Sequence, residues 1–218
     1  MKKLLLTFFA FTCTWGLRAQ DETPIEPQPR HEIRTIFSGP RSSGGYVGLT
    51  NKFTTINGQY ANIAGLYGGW YINHHFLLGL GAFGLTNDLR IANEHSVDPG
   101  RRMSYYYGQT GLVTEYALGS NRAFHVNFNF FAGAGFTFQY DRYGWRNYDY
   151  EPYRYNDIEE NWFFVMEPGV QVEMNLFRWM RLAPGISYRQ TFGSDSRGLT
   201  DDTLTNTTYS VTLKLGKF

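Results

Sequence analysis

Few residues in the 218-residue chain have types and spacing suited to chemistry. The single cysteine, Cys13, lies close to the N-terminus, so the rest of the chain has no thiolate nucleophile, disulfide framework or cysteine metal site. His95-Ser96-x-Asp98 puts a base, a nucleophile and an acid within four positions, the raw material of acyl transfer or hydrolysis. Three reactive types in so short a span arise readily by chance, and nothing there orients the imidazole, so no catalytic residue is expected. His74-His75 and Asp201-Asp202 are too sparse for a metal centre, and neither metal nor cofactor is expected.

Two larger sets are more coherent. Glu115, His125, Asn127, Asn129, Glu167, Gln171, Glu173, Arg181 and Arg189 each stand in an otherwise apolar or aromatic stretch. Such a set can gate a passage, act as acid and base, or form a hydrogen-bonded core. The core is expected, because carboxylates and guanidiniums buried without partners are costly. In the second set, Tyr143, Trp145, Tyr148, Tyr150, Tyr153 and Tyr155 alternate with Arg142, Arg146, Asp149, Glu151, Arg154 and Asp157. Tyrosine and arginine at this density suit a recognition surface, and aromatic faces stack on sugars. The alternative is a hairpin that merely prolongs its flanking strands, with its tyrosines packed on lipopolysaccharide and on one another.

The elements that must position these residues have a period of two. From Phe124 to Tyr140, Phe124, Val126, Phe128, Phe130, Ala132, Ala134, Phe136 and Phe138 fall on one face; His125, Asn127, Asn129, Gly133, Gly135, Thr137 and Gln139 fall on the other. Segments 162–176, 180–190 and 207–217 follow the same alternation, and about 45–56, 60–72, 76–87 and 104–118 supply four more strands. Asn57-Gly58 signals a tight hairpin. Three other connections are short (73–75, 119–122 and 177–178) and three are long (about 88–103, 142–161 and 191–206). The short ones gather at one end of the sheet and the long ones at the other, apart from the tight Asn57-Gly58 connection.

Composition excludes several classes. Twenty basic residues against 19 acidic give no field for nucleic acid. No 18-residue apolar run follows the N-terminal segment, so no spanning helix is expected. Residues 1–19, with Lys2-Lys3, an apolar Leu4–Phe11 and a small-residue site at Ala19, read as a cleavable signal peptide. Acylation of Cys13 is the alternative, against which Ala10 and Thr12 make a poor lipobox. Residues 20–43, with Pro24, Pro27, Pro29 and Pro40, read as a flexible periplasmic tail, and 44–218 as the folded part.

Eight antiparallel strands with one apolar face and no helix to cover it must curl on themselves or pair as a sandwich, and closure also removes exposed edges. Alternation alone leaves open which face points inward. Glycines on the polar faces (Gly133, Gly135, Gly169, Gly185) suit a crowded interior better than a solvated surface. Aromatics near the strand ends (Tyr116 and Phe124 at one side, Tyr140 and Trp162 at the other) would form interfacial girdles. The expected fold is therefore all-β, an eight-stranded antiparallel up-and-down transmembrane β-barrel with its polar face inward.

With this pattern, residues 44–218 resemble the small eight-stranded bacterial outer-membrane barrels typified by the OmpA transmembrane domain and OmpX. Gly68-Gly69-Trp70-Tyr71-Ile72-Asn73 and Leu78-Gly79-Leu80-Gly81-Ala82-Phe83-Gly84 are similar to stretches of such barrels. One departure is at the C-terminus. Many of these barrels carry apolar residues at alternate positions counted back from a terminal Phe, whereas here those positions hold Gly216, Lys214 and Thr212, and the apolar set Leu215, Leu213, Val211 and Tyr209 is one place out of step. The resemblance implies a monomer in the Gram-negative outer membrane, inserted by the barrel assembly machinery and in contact with outer-membrane lipid and lipopolysaccharide. Its expected role is non-enzymatic, in surface interaction or envelope integrity, with an occluded rather than porin-like open interior and a glycan or protein at the outer loops. The alternatives are a lipid-A-modifying barrel enzyme, for which His95-Ser96-x-Asp98 or the inward His125 would have to serve, and a soluble lipocalin-like ligand-binding barrel.

Overall fold

The computed structural model describes residues 43–142 and 160–218. The leader, the tail up to residue 42 and the six loop aromatics from Tyr143 to Tyr155 lie outside the described residues. Eight long strands follow in order: β1 (Ser43–Ile56), β2 (Gln59–Ile72), β3 (Phe76–Leu85), β4 (Met103–Leu118), β5 (Phe124–Asp141), β6 (Asn161–Phe177), β7 (Met180–Phe192) and β8 (Asn206–Lys217). Each pairs antiparallel with the next, and β8 returns to β1 from Gly45↔Lys217 to Phe53↔Tyr209, which closes the sheet into an up-and-down barrel. Closure leaves no edge along which backbone donors and acceptors would go unpaired.

Local chemistry sets the turns. Asn57 and Gly58 both take positive φ, 49° and 72°, as a two-residue turn matched to strand twist requires. Asn73 and His74 do the same at the other end, with φ of 53° and 58°. The third strand stops at Leu85, two residues short of expectation, and after a break the chain resumes antiparallel pairing with the same neighbour at Leu89–Arg90, opposite Tyr105 and Ser104. The seventh strand instead runs on to Phe192. The loop after it is held by the Asp201 carboxylate, which accepts the backbone N–H groups of Gly193 and Ser194, both at 2.9 Å.

The apolar face points outward. Trp70, Leu80 and Phe124 are 73%, 67% and 65% exposed, whereas Lys214 and Arg189 on the opposite face are 0% and 1% exposed. Exposed Val, Leu, Ile and Phe side chains continue around the barrel as a belt, for example Leu49, Leu66, Leu112, Val126, Val170 and Ile186. Aromatics border it. Phe177 and Trp179 stack at 5.7 Å at the short-turn end, while Tyr106 stacks on Phe138 at 4.9 Å and Phe136 meets Trp162 at 5.2 Å toward the long loops.

Inside, the filling is layered. At the short-turn mouth Tyr46, Tyr71 and Phe218 pack together, with ring centroids of Tyr46 and Phe218 5.0 Å apart. The middle is polar. Under the long loops Ile56, Ile63, Leu89, Leu199 and Leu204 are all buried and form an apolar cap.

Candidate functional site

Alternation along β4 to β8 turns the charged residues into the barrel, where they form two clusters. In the one nearer the short turns, Lys214 of β8 reaches Glu115 of β4 at 2.6 Å and also pairs with Glu173 of β6. Asn127 of β5 donates to both carboxylates, at 2.8 Å and 2.6 Å. Tyr67 donates to Glu115 Oε1 at 2.5 Å, and Tyr46 donates to Oε2 of the same group. Glu173 Oε2 receives Arg181 Nη1 at 3.1 Å and lies 2.8 Å from His125 Nε2. Two carboxylates thus face two buried cations, and neutral donors fill the remaining lone pairs, the condition under which buried ions are tolerated.

The second cluster lies toward the long loops. Lys52 of β1 pairs with Glu167 of β6 at 2.7 Å and sits 4.2 Å over the ring of Phe83. Ser187 and Gln109 complete the Glu167 carboxylate at 2.6 Å and 3.1 Å, and Tyr107 donates to Gln109 at 2.5 Å. Arg189 has 1% exposure; its Nε donates to the Leu204 carbonyl at 2.8 Å, and its guanidinium faces the Tyr107 ring at 5.1 Å. Between the clusters lies a cavity of about 30 Å³, bordered by Thr50, Glu115, Asn129, Gln171 and Ser210. That is room for only a few water molecules.

The structure therefore draws Glu115, His125, Asn127, Glu167, Glu173, Arg181 and Arg189 into direct contacts. Asn129 and Gln171 instead border the small cavity, with Asn129 Oδ1 and Gln171 Oε1 buried and without a protein partner. The polar pattern permits two registers across the β6–β7 turn, one placing Glu173 opposite Arg181 and one placing Glu167 opposite Arg189. Gly169↔Ser187 and Gln171↔Gly185 select the second. Arg181, aligned with Asn175 in that register, still reaches Glu173 diagonally, whereas Glu167 takes Lys52 rather than Arg189 as its cation.

Lys52 and Lys214 are the functional side chains that sequence reasoning missed. The available signal was parity: Lys214 shares its face with Thr208, Ser210 and Thr212, and Lys52 with Thr50 and Thr54, all now buried. His125 is not the lone histidine its isolation in sequence suggests, since Glu173 holds its ring.

The loop motif His95-Ser96-x-Asp98 does not assemble as a triad. The Ser96 hydroxyl accepts the Asp98 backbone N–H at 3.2 Å, His95 Nε2 lies 3.4 Å from Glu94, and the His95 carbonyl accepts Gln139 Nε2 at 2.9 Å. Among the described residues no group of three or more His, Cys, Asp or Glu side chains could hold a metal.

No protein-family model matches the sequence, and no curated protein matches it. Solved structures do match. Neisserial surface protein A (NspA) is 9% identical with a TM-score of 0.53, the match covering 83% of this chain and 100% of that one. The N-terminal β-barrel domain of Pseudomonas aeruginosa OprF is 9% identical with a TM-score of 0.50, covering 79% and 96% respectively. The chain thus has the fold of small outer-membrane β-barrels.

Proposed function

We propose that the protein is a non-enzymatic barrel of the Gram-negative outer membrane, exported by a signal peptide cleaved after Ala19 and serving surface interaction or envelope integrity. The observation that carries this reading is the belt of exposed Val, Leu, Ile, Phe and Trp around a closed barrel whose inside is ionic. In water such a belt is a large unfavourable surface; in hydrocarbon it is the natural wall of a spanning barrel, flanked by aromatics at both interfaces.

On this reading the interior is occluded. Support comes from the paired cations and carboxylates, the apolar cap under the loops and a central cavity with room for only a few waters. The chain acts as a monomer, with lipid and lipopolysaccharide against the belt and the barrel assembly machinery as its route into the membrane. The aromatic set Tyr143, Trp145, Tyr148, Tyr150, Tyr153 and Tyr155 is the proposed contact for a glycan or protein. Replacing all six by Ser should abolish adhesion to that partner while leaving barrel stability unchanged; undiminished adhesion would return the loop to a packing role.

The decisive experiment is fractionation of expressing cells, followed by SDS gels with and without boiling. A closed spanning barrel is recovered with the outer membrane and migrates anomalously until heated. Recovery as a soluble periplasmic protein with no shift would overturn the reading. Planar-bilayer recordings test occlusion separately: steady conductance steps from the wild-type protein would refute it.

A further inference from the structure

On the outward face, where β4 and β5 rise toward the long loops, the aromatic belt gives way to arginines. Tyr106 pairs with Phe138, and the next outward row joins Arg90, Ser104 and Tyr140 across three strands. One row further out, the Arg142 N–H donates to the Arg102 carbonyl at 3.3 Å. At about 3.3 Å per residue and with barrel tilt, Arg102 and Arg142 stand roughly 10 Å beyond the Tyr106–Phe138 stack along the axis. If that stack marks the outer edge of the hydrocarbon, as the proposed membrane placement requires, the arginines lie at headgroup depth.

Arg90, Asn93, Arg101, Arg102 and Arg142 line a notch of about 430 Å³. Its charge is partly balanced. Arg101 pairs with Asp98 at 3.2 Å and Asp141 at 3.6 Å, and Asp88 lies 3.8 Å from Arg142 Nε while accepting the Tyr140 hydroxyl at 2.6 Å. Among the described residues, Asp88 offers one carboxylate against Arg90 and Arg142 together. Arg142 is held in place by the hydrogen bond its Nε donates to Ser104 Oγ, and its Nη2 is buried with no hydrogen-bond partner. A buried guanidinium N–H left unpaired is costly, and the planar fork of an arginine that lines a notch matches a tetrahedral oxyanion.

We infer that this notch binds a phosphoryl group, presented by a phosphorylated glycolipid headgroup of the outer leaflet or by free phosphate, with Arg142 and Arg90 as its principal ligands. The inference rests on the outer-membrane reading above.

The test is native mass spectrometry of the full chain in detergent, titrated with bisphosphorylated lipid A, the same lipid A after dephosphorylation, or inorganic phosphate. Wild type should hold bisphosphorylated lipid A roughly tenfold more tightly than Arg90→Gln/Arg142→Gln, the loss expected for charge-assisted contacts, and should not favour the dephosphorylated lipid. Arg142→Lys, which keeps the charge and loses the fork, should fall between them. Arg122→Gln/Arg178→Gln, at the opposite mouth, should match wild type. Arginine-dependent binding of inorganic phosphate, with lipid A no tighter, would support the site and name free phosphate as its source. Equal binding of every probe by wild type and variants, in samples that still show heat-modifiable migration, overturns the inference and leaves the outer-membrane reading standing. A wild type without that migration overturns both.

Discussion

At the scale of single residues, Lys214 has the most to lose. It is wholly buried and bridges Glu115 and Glu173, so Lys214→Met leaves two carboxylates facing each other with one cation, Arg181, on one of them. Removing one partner of a buried ionic set costs about 3–5 kcal/mol, and urea unfolding in lipid vesicles should show a loss of that size. Lys52→Met should cost less, because Glu167 keeps the donors Ser187 and Gln109. No loss for either would mean that the clusters do not stabilise the barrel, and equal losses would mean that the donors left on Glu167 do not compensate for its cation. Neither lysine was legible as an interior group. On a strand, a lone lysine with a four-carbon stem ordinarily reaches solvent, and only a partner on a distant strand makes its burial affordable. The acids and arginines were legible because they stand in strongly apolar runs, where parity sets them on the face opposite the apolar one.

At the scale of elements, the β6–β7 seam is the most interrupted join. Its register shifts by one between Asn175 and Phe177, and Glu167, Pro168, Val172 and Glu173 have no ladder partner on β7. Pro168 and Pro184, both exposed on the outer face, have no N–H to give at those two interruptions. The β4–β5 ladder, by contrast, runs unbroken from Met103↔Asp141 to Leu118↔Val126. Hydrogen exchange in detergent should therefore be faster for the mid-strand amides of this seam than for β4–β5 amides at the same depth; uniform protection would refute it. Close backbone approach is a second element-scale property. A Cβ on Gly133 would stand 2.1 Å from the Thr110 carbonyl oxygen and 2.5 Å from the Gly111 Cα. Gly133→Val should accordingly lower the yield of heat-modifiable, folded protein, because backbone rather than a flexible side chain must move. The strands were legible to within about two residues from alternation and turn chemistry. The seam's register was not, since both alternatives keep polar residues opposite polar ones.

At the scale of the whole molecule, the question is which solvent wets the belt. Leu80 lies mid-sheet, paired with Leu112 and 67% exposed. Leu80→Arg should destabilise the barrel by roughly 2–4 kcal/mol in a bilayer, the cost of a charge near the midplane. In a water-soluble barrel the same exposed substitution would be close to neutral, so unfolding measured in vesicles separates the two.

By itself the sequence determined the class of fold: period-two alternation dictates strands, short and long turns dictate their order, and a one-sided apolar face demands closure. The direction of that face could be argued from inward glycines and terminal aromatics, but alternation is symmetric under inversion. Only the tertiary structure decided which lysine meets which carboxylate, where the apolar cap sits, and that arginines from three separate segments line one notch. The lysine–carboxylate contacts join residues up to 115 apart in sequence. Their geometry is set by barrel closure and register, which no local pattern encodes.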